Sequence, residues 1–335
     1  EFECDLMGKQ ATPIWVWGLL IAAVIGVSSA GAILQHLEIP PLLKASWRLQ
    51  TTSLLLAPLA FWQWRSMDLE SRKRVFAPQT QKVVWLSGLA LALHFGTWIP
   101  SLDKTSLTHS LLFVTAHPLV IVVGMIFLAK LMTDHRKPTS FEIIGAIMGV
   151  MGAGITLLDQ GDVQGSHVVT MWGDFLAFLG AIFVVGYIVC GKILRAWMPI
   201  FIYAFPVTLI ASLLLIPASL ILEPSASEFG VFGWISMDHL PWFLVLAFIG
   251  GLLGHTGLNT CLRYMSPLTV STSVTLEPLL GSLIGWFFFD TGVPGFWTWI
   301  GGPILIIGLL FVIVGTPEET KTIAKDEGQD SSPLT

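Results

Sequence analysis

The chain has 335 residues, of which 54% are hydrophobic and only 12% charged. That make-up excludes a dispersed soluble domain, whose surface needs roughly a quarter to a third charged residues. Long apolar segments alternating with short polar ones are instead the layout of a polytopic membrane protein, and the formal net charge of -5 averages loops on opposite sides of the bilayer.

About 20 apolar residues cross a bilayer core of roughly 30 Å. In chain order the spans are expected at Pro13–Leu34, Leu42–Trp62, Val83–Leu102, Leu107–Leu128 and Phe141–Leu158. A second set follows at Trp172–Leu194, Pro199–Leu222, Pro241–Leu262, Leu268–Phe289 and Trp297–Val314. Residues 1–12 form an N-terminal segment, and the first apolar stretch is long enough to span instead of serving as a cleaved leader. The polar stretch 317–335 reads as a disordered cytoplasmic tail.

Charge tests the count independently. With both termini in the cytoplasm, every basic residue falls inside except Lys44, Arg48 and Lys104. The outer loops carry acids instead, among them Asp159, Asp162, Glu223, Asp238 and Asp290. The expected architecture is therefore an all-α integral membrane protein with ten transmembrane helices and cytoplasmic N- and C-termini.

The two halves also resemble each other. Leu102 and Leu262, Ser106 and Ser266, and Pro118 and Pro278 match at one constant offset, and the spacing of Gly145 and Gly152 returns in Gly301 and Gly308. Five spans is an odd number, so the second copy sits upside down relative to the first. Residues 13–160 and 161–316 are thus expected to be two inverted five-helix repeats, an arrangement frequent among secondary transporters.

On these features the sequence resembles the drug/metabolite transporter superfamily, specifically its EamA-type members, over roughly residues 13–316. The segments Leu276–Asp290 (LEPLLGSLIGWFFFD) and Thr105–Val122 (TSLTHSLLFVTAHPLVIV), the Pro41–Arg48 entry to the second span, and the glycine-spaced closing helices carry the resemblance. Where the family often ends its fourth and ninth spans with glutamate, this chain has Lys130 and Asp290, and His117 is unusual before the fourth-span proline. The resemblance implies a ten-helix basket whose third, fourth, eighth and ninth helices line a central cavity.

Polar residues inside the spans are the candidates for function, because a charge at mid-depth costs roughly 2.5–3.5 kcal/mol on insertion scales. At 1.5 Å per residue, His117 and Glu277 lie about 15 Å and 14 Å into their spans, each just before a proline that breaks the helix. Either they contact substrate and relay protons, or they make structural bonds between helices. His94 and Trp98 share one face of the third span, and His255 and Asn259 repeat that spacing on the eighth. Tyr187 can add a hydroxyl. Arg48 can attract an anionic group or snorkel to the headgroups, while Asp103 and Lys104 read as a solvated hairpin tip. The substrate-binding set is then Arg48, His94, Trp98, His117, Tyr187, His255, Asn259 and Glu277, with Glu277 and His117 as proton-coupling groups.

His109 and His117 stand about 12 Å apart along a helix, too far to share one ion, and a metal site on His117 and Glu277 needs a third ligand from elsewhere. No phosphate-binding loop, nucleophile elbow, HExxH or dinucleotide fingerprint occurs. The cysteines, Cys4, Cys190 and Cys261, form no CxxC motif. The expected function is a secondary transporter of a small organic metabolite working by alternating access, with proton coupling open, and not an enzyme. The alternatives are a membrane scaffold or accessory subunit, and a transition-metal transporter. The partners are a small-molecule substrate and the lipid bilayer, with no cofactor and no nucleic acid; a homodimer is compatible with the sequence.

Overall fold

The computed structural model describes residues 12–131, 137–159, 163–164 and 167–315. Within them the chain is helical, apart from turns and a two-residue antiparallel pairing of β1 (Val163–Gln164) with β2 (His167–Val168). The tail expected at 317–335 and residues 1–11 lie outside the described residues, as do Arg136 and Asp162.

The first helices are α1 (Ile14–His36), α2 (Pro41–Ser66), the short α3 (Leu69–Phe76) and α4 (Pro78–Leu102). Pro41 and Pro78 start their helices, where a missing N–H costs nothing. Asp68 caps α3 by accepting the Ser71 N–H, and that bond holds its carboxyl below the usual carboxylate range. The fourth expected span is split into α5 (Leu107–Val114) and α6 (His117–Leu131), and α7 (Ser140–Thr156) follows.

After β2 come α8 (Met171–Arg195), α9 (Ile200–Leu222) and the single turn α10 (Ala226–Phe229). The eighth expected span runs through α11 (Leu240–Val245), a π-helical stretch Leu246–Thr256, and α12 (Gly257–Cys261). The ninth is again split, into α13 (Pro267–Val274) and α14 (Glu277–Phe289), and α15 (Phe296–Gly315) closes the chain. Both splits fall just before a proline, Pro118 or Pro278, which disfavours helical geometry in the residue ahead of it. Ser106 and Ser266 cap α5 and α13 in the same way, accepting the N–H groups of His109 and Thr269.

Among the described residues eight helical rods are long and apolar enough to cross a membrane, where ten were expected. The second rod, α2, has the length, but Lys44, Arg48, Gln50, Thr51 and Thr52 dilute it, and all of these are buried against protein. In the tenth, α15, the apolar stretch is confined to Phe296–Val312. The outward faces expose large apolar side chains, including Trp15, Trp85, Phe127, Trp172 and Phe287, as a lipid-facing surface does.

Small residues set the closest approaches, as they do between membrane helices. α7 packs on α15 glycine to glycine: a Cβ on Gly152 would stand 2.6 Å from the Gly301 carbonyl oxygen. α1 packs on the π-helical stretch through Gly26, whose Cβ would meet the Ile249 carbonyl at 2.7 Å. α2 pairs with α9, and α4 with α8. The two split helices lie between these pairs, so their breaks face the middle of the bundle.

Candidate functional site: a central polar cavity

Side chains from α1, α2, α4, α8, the π-helical stretch, α12 and both split helices enclose a central cavity of about 50 Å³. That is room for roughly three water molecules. All eight residues singled out in the sequence line it: Arg48, His94, Trp98, His117, Tyr187, His255, Asn259 and Glu277. Most of them sit near mid-depth of their rods and Arg48 reaches in from about two turns into α2, where an apolar surround leaves the centre as their polar environment.

α4 supplies His94 and Trp98, whose rings stack with centroids 5.8 Å apart. His94 Nδ1 bonds the Gly180 carbonyl of α8 at 2.9 Å, which fixes the ring's direction. The π-helical stretch supplies His255, edge-on to Phe95 at 5.2 Å. Asn259 Nδ2 donates to the Tyr187 hydroxyl at 2.6 Å and to the His255 carbonyl at 2.9 Å, so it ties α12 to α8. Behind Tyr187, the Tyr203 hydroxyl bonds Ser87 at 2.7 Å.

The residues at the two helix breaks behave differently. His117 Nδ1 bonds the Ser271 hydroxyl across the halves. Glu277 is 5% exposed, and among the described residues its carboxylate makes no hydrogen bond or ion pair. Arg48 is 1% exposed and faces the cavity, so the headgroup-snorkelling alternative is overturned. Its guanidinium lies 4.6 Å from the Phe95 ring centroid and 5.8 Å from that of Trp98, while Nη1 and Nη2 have no hydrogen-bond partner. Gly250 is small to admit it: a Cβ there would stand 3.0 Å from Nη2. Arg48 and Glu277 are near enough for their charges to interact yet do not come within 4.0 Å.

Polar contacts flank the cavity toward both ends. On the face of the α1–α2 and α4–α5 turns, buried Lys44 donates to Asp103 at 3.1 Å and to the carbonyls of Leu34 and Leu37. Asp103 is therefore an ion-pair partner and not merely a solvated hairpin tip. Gln35 adds a bond to the Leu102 carbonyl at 2.7 Å. Above this latch opens a polar vestibule of about 640 Å³, lined by Glu38, Asp103, His167, Ser225 and Thr291 among others. Glu223 reaches from the end of α9 to accept the N–H groups of Leu42 and Leu43 at 2.7 and 3.1 Å, and burial pushes its carboxyl above the usual range. At the opposite end Lys192 donates to the Met265 carbonyl at 3.0 Å, and Arg195 to that of Asn259 at 3.2 Å.

Phe95 and Ser271 belong to the site but were not among the expected residues. A hydroxyl-rich run from Thr269 to Thr275 marks the neighbourhood of Ser271; nothing in the sequence distinguishes Phe95 from the other apolar residues of α4. His109 is elsewhere, bonded to Asp174 at 3.2 Å. Among the described residues no cluster of three or more His, Cys, Asp or Glu is placed to hold a metal ion.

No curated protein matches the chain. Among 27 matching chains of solved structures is a crystal structure 16% identical in sequence. It superposes with a TM-score of 0.64 over 90% of this chain and 98% of its own, a likeness of fold. The model of the EamA-like transporter family matches residues 171–314, from the start of α8 to the last turn of α15. The matched stretch contributes Tyr187, His255, Asn259 and Glu277 to the cavity wall. Over residues 171–314 the chain is thus similar to the EamA-like transporter family, the group its sequence resembles.

Proposed function

We propose that the protein is a secondary transporter that moves a small organic solute across a membrane by alternating access. Its ten rods form two inverted five-helix copies, residues 13–160 and 161–316, with both termini in the cytoplasm. The observation that carries this reading is the convergence of eight polar and aromatic side chains, from both copies, on one central cavity.

The packing supports an internal two-fold. α1 packs on the π-helical stretch and α14 of the second copy, and α8 correspondingly packs on α4 and α6 of the first. α2–α9 and α7–α15 pair equivalent helices with each other. Such an arrangement has two near-equivalent states, because exchanging the conformations of the copies exchanges which end is open. Energy comes from a gradient, and Glu277, with His117 at the equivalent break, is the proton-coupling candidate. The carboxyl left without a partner on Glu277 supports that role.

Sided thiol labelling tests the reading without knowledge of the solute. Ser271→Cys is placed in a variant whose Cys4, Cys190 and Cys261 are replaced by Ser, and reconstituted in sealed proteoliposomes of known orientation. A membrane-impermeant maleimide is expected to modify the cavity cysteine from either side. Labelling confined to one side, or absent on both while the unfolded protein labels fully, overturns alternating access.

A further inference from the structure

The end of the bundle opposite the vestibule carries a basic patch that has no part in the central cavity. Residues 65–82 hold five bases, Arg65, Arg72, Lys73, Arg74 and Lys82, against two acids, in a chain whose formal net charge is -5. Both acids are already engaged: Asp68 caps α3, and Glu70 lies 3.7 Å from Lys73. Among the described residues, Arg65, Arg72, Arg74 and Lys82 have no acidic partner.

Aromatic rings position the guanidinium groups instead. Arg74 lies 4.2 Å from the Trp197 ring centroid, Arg72 5.3 Å from that of Trp64, and Arg65 5.8 Å from that of Phe61. α3 is fixed between the ends of α2 and α4 by buried Val75, by the Gln81 side chain donating to the Val75 carbonyl at 2.8 Å, and by the edge-on contact of Trp64 with Phe76. A charged stretch that met only water would have polar neighbours. Here Phe61, Trp62, Leu69 and Phe76 stand exposed among the bases.

We infer that this patch binds the phosphate headgroups of anionic phospholipids, in the leaflet at that end, with α3 lying at the membrane surface. α3 joins two rods of membrane length, which puts it where acyl chains give way to headgroups. The exposed aromatic and leucine side chains suit the acyl boundary, and the bases suit the phosphate layer above it. Guanidinium groups offer phosphate paired donors, and a cluster of bases selects anionic over neutral lipid. The inference is independent of the solute and of how it is moved.

The test titrates the purified full-length protein, in neutral detergent, with phosphatidylglycerol, phosphatidylinositol 4-phosphate or phosphatidylcholine. Bound lipid is counted by native mass spectrometry and thermal unfolding is followed in parallel. Saturable binding of both anionic lipids is expected, about tenfold tighter than phosphatidylcholine and weaker as salt is raised. Arg72→Gln with Arg74→Gln is expected to weaken that binding about tenfold, and Arg72→Lys with Arg74→Lys to retain most of it. Lys137→Gln with Arg263→Gln, which removes two exposed bases at the same end but outside the patch, is expected to leave it unchanged. If loss of the ring contacts unfolds the first variant, Lys73→Gln with Lys82→Gln takes its place, since both lysines are exposed. Equal binding of phosphatidylcholine, or equal weakening by the Lys137 and Arg263 changes, overturns the inference. Inorganic phosphate that stabilises as well as the anionic lipids, and loses that effect when the patch is neutralised, overturns it in favour of a soluble anion.

Discussion

Glu277 and His117 occupy matching breaks, yet one carries no partner and the other is bonded to Ser271. A bonded imidazole is held in one orientation, whereas an unpartnered carboxylate is free to bind a proton or a solute in turn. Glu277→Gln is therefore expected to make solute counterflow insensitive to pH, whereas the parent's rate changes with pH. Retention of the parent's profile in that variant assigns the coupling elsewhere. Loss of Ser271 is milder: Ser271→Ala removes one hydrogen bond, worth about 0.5–1.5 kcal/mol, and is expected to lower the melting temperature without abolishing flux. The placement of seven of the eight lining residues was legible because intramembrane polarity is costly, and the cost sends each toward the centre. Arg48 was not, since its depth near the outer boundary allows snorkelling equally well. What decides the matter is the aromatic pair Phe95 and Trp98 and the absence of a side chain at Gly250, none of which spacing reveals.

Helices meet through glycines where their backbones touch, and such contacts can be probed singly. Gly152→Ala places a Cβ against the Gly301 carbonyl and is expected to destabilise the protein by about 1–3 kcal/mol, the usual cost of overpacking. Gly302→Ala, one residue along α15 from that contact and with nothing within 4 Å, is expected to leave stability unchanged or raise it by up to about 1 kcal/mol. Equal effects of the two would remove the glycine seam as an explanation for the α7–α15 pairing. Glu223 ties a different pair, capping α2 from the end of α9, and Glu223→Ala is expected to cost about 0.5–2 kcal/mol in thermal unfolding. The split helices were readable from Pro118 and Pro278. The π-helical stretch Leu246–Thr256 was not: Gly250, Gly251 and Gly254 permit the close approach to α1 and α2, but the same glycines suit an ordinary α-helix.

Among the described residues eight rods are plainly apolar, and helices far apart in the chain pack in pairs, α2 on α9, α4 on α8 and α7 on α15. α2 escapes a hydropathy count because its polar side faces protein, and this burial is a property of the assembled bundle that no single segment displays. Bonds cross the bundle toward each end: the Lys44–Asp103 pair on the vestibule side, and the Arg195 and Lys192 bonds to backbone on the other. Alternating access requires these contacts to loosen in turn. Spin-label distances across each mouth report this, with Glu38 and Ser225 labelled on the vestibule side and Lys82 and Arg263 on the other, all four exposed. In reconstituted protein each pair is expected to show a short and a long population, and conditions that enrich the long distance at one mouth should enrich the short distance at the other. One unchanging distance at each mouth, under every solute and pH condition tried, would contradict the rocking of two inverted copies about the central cavity.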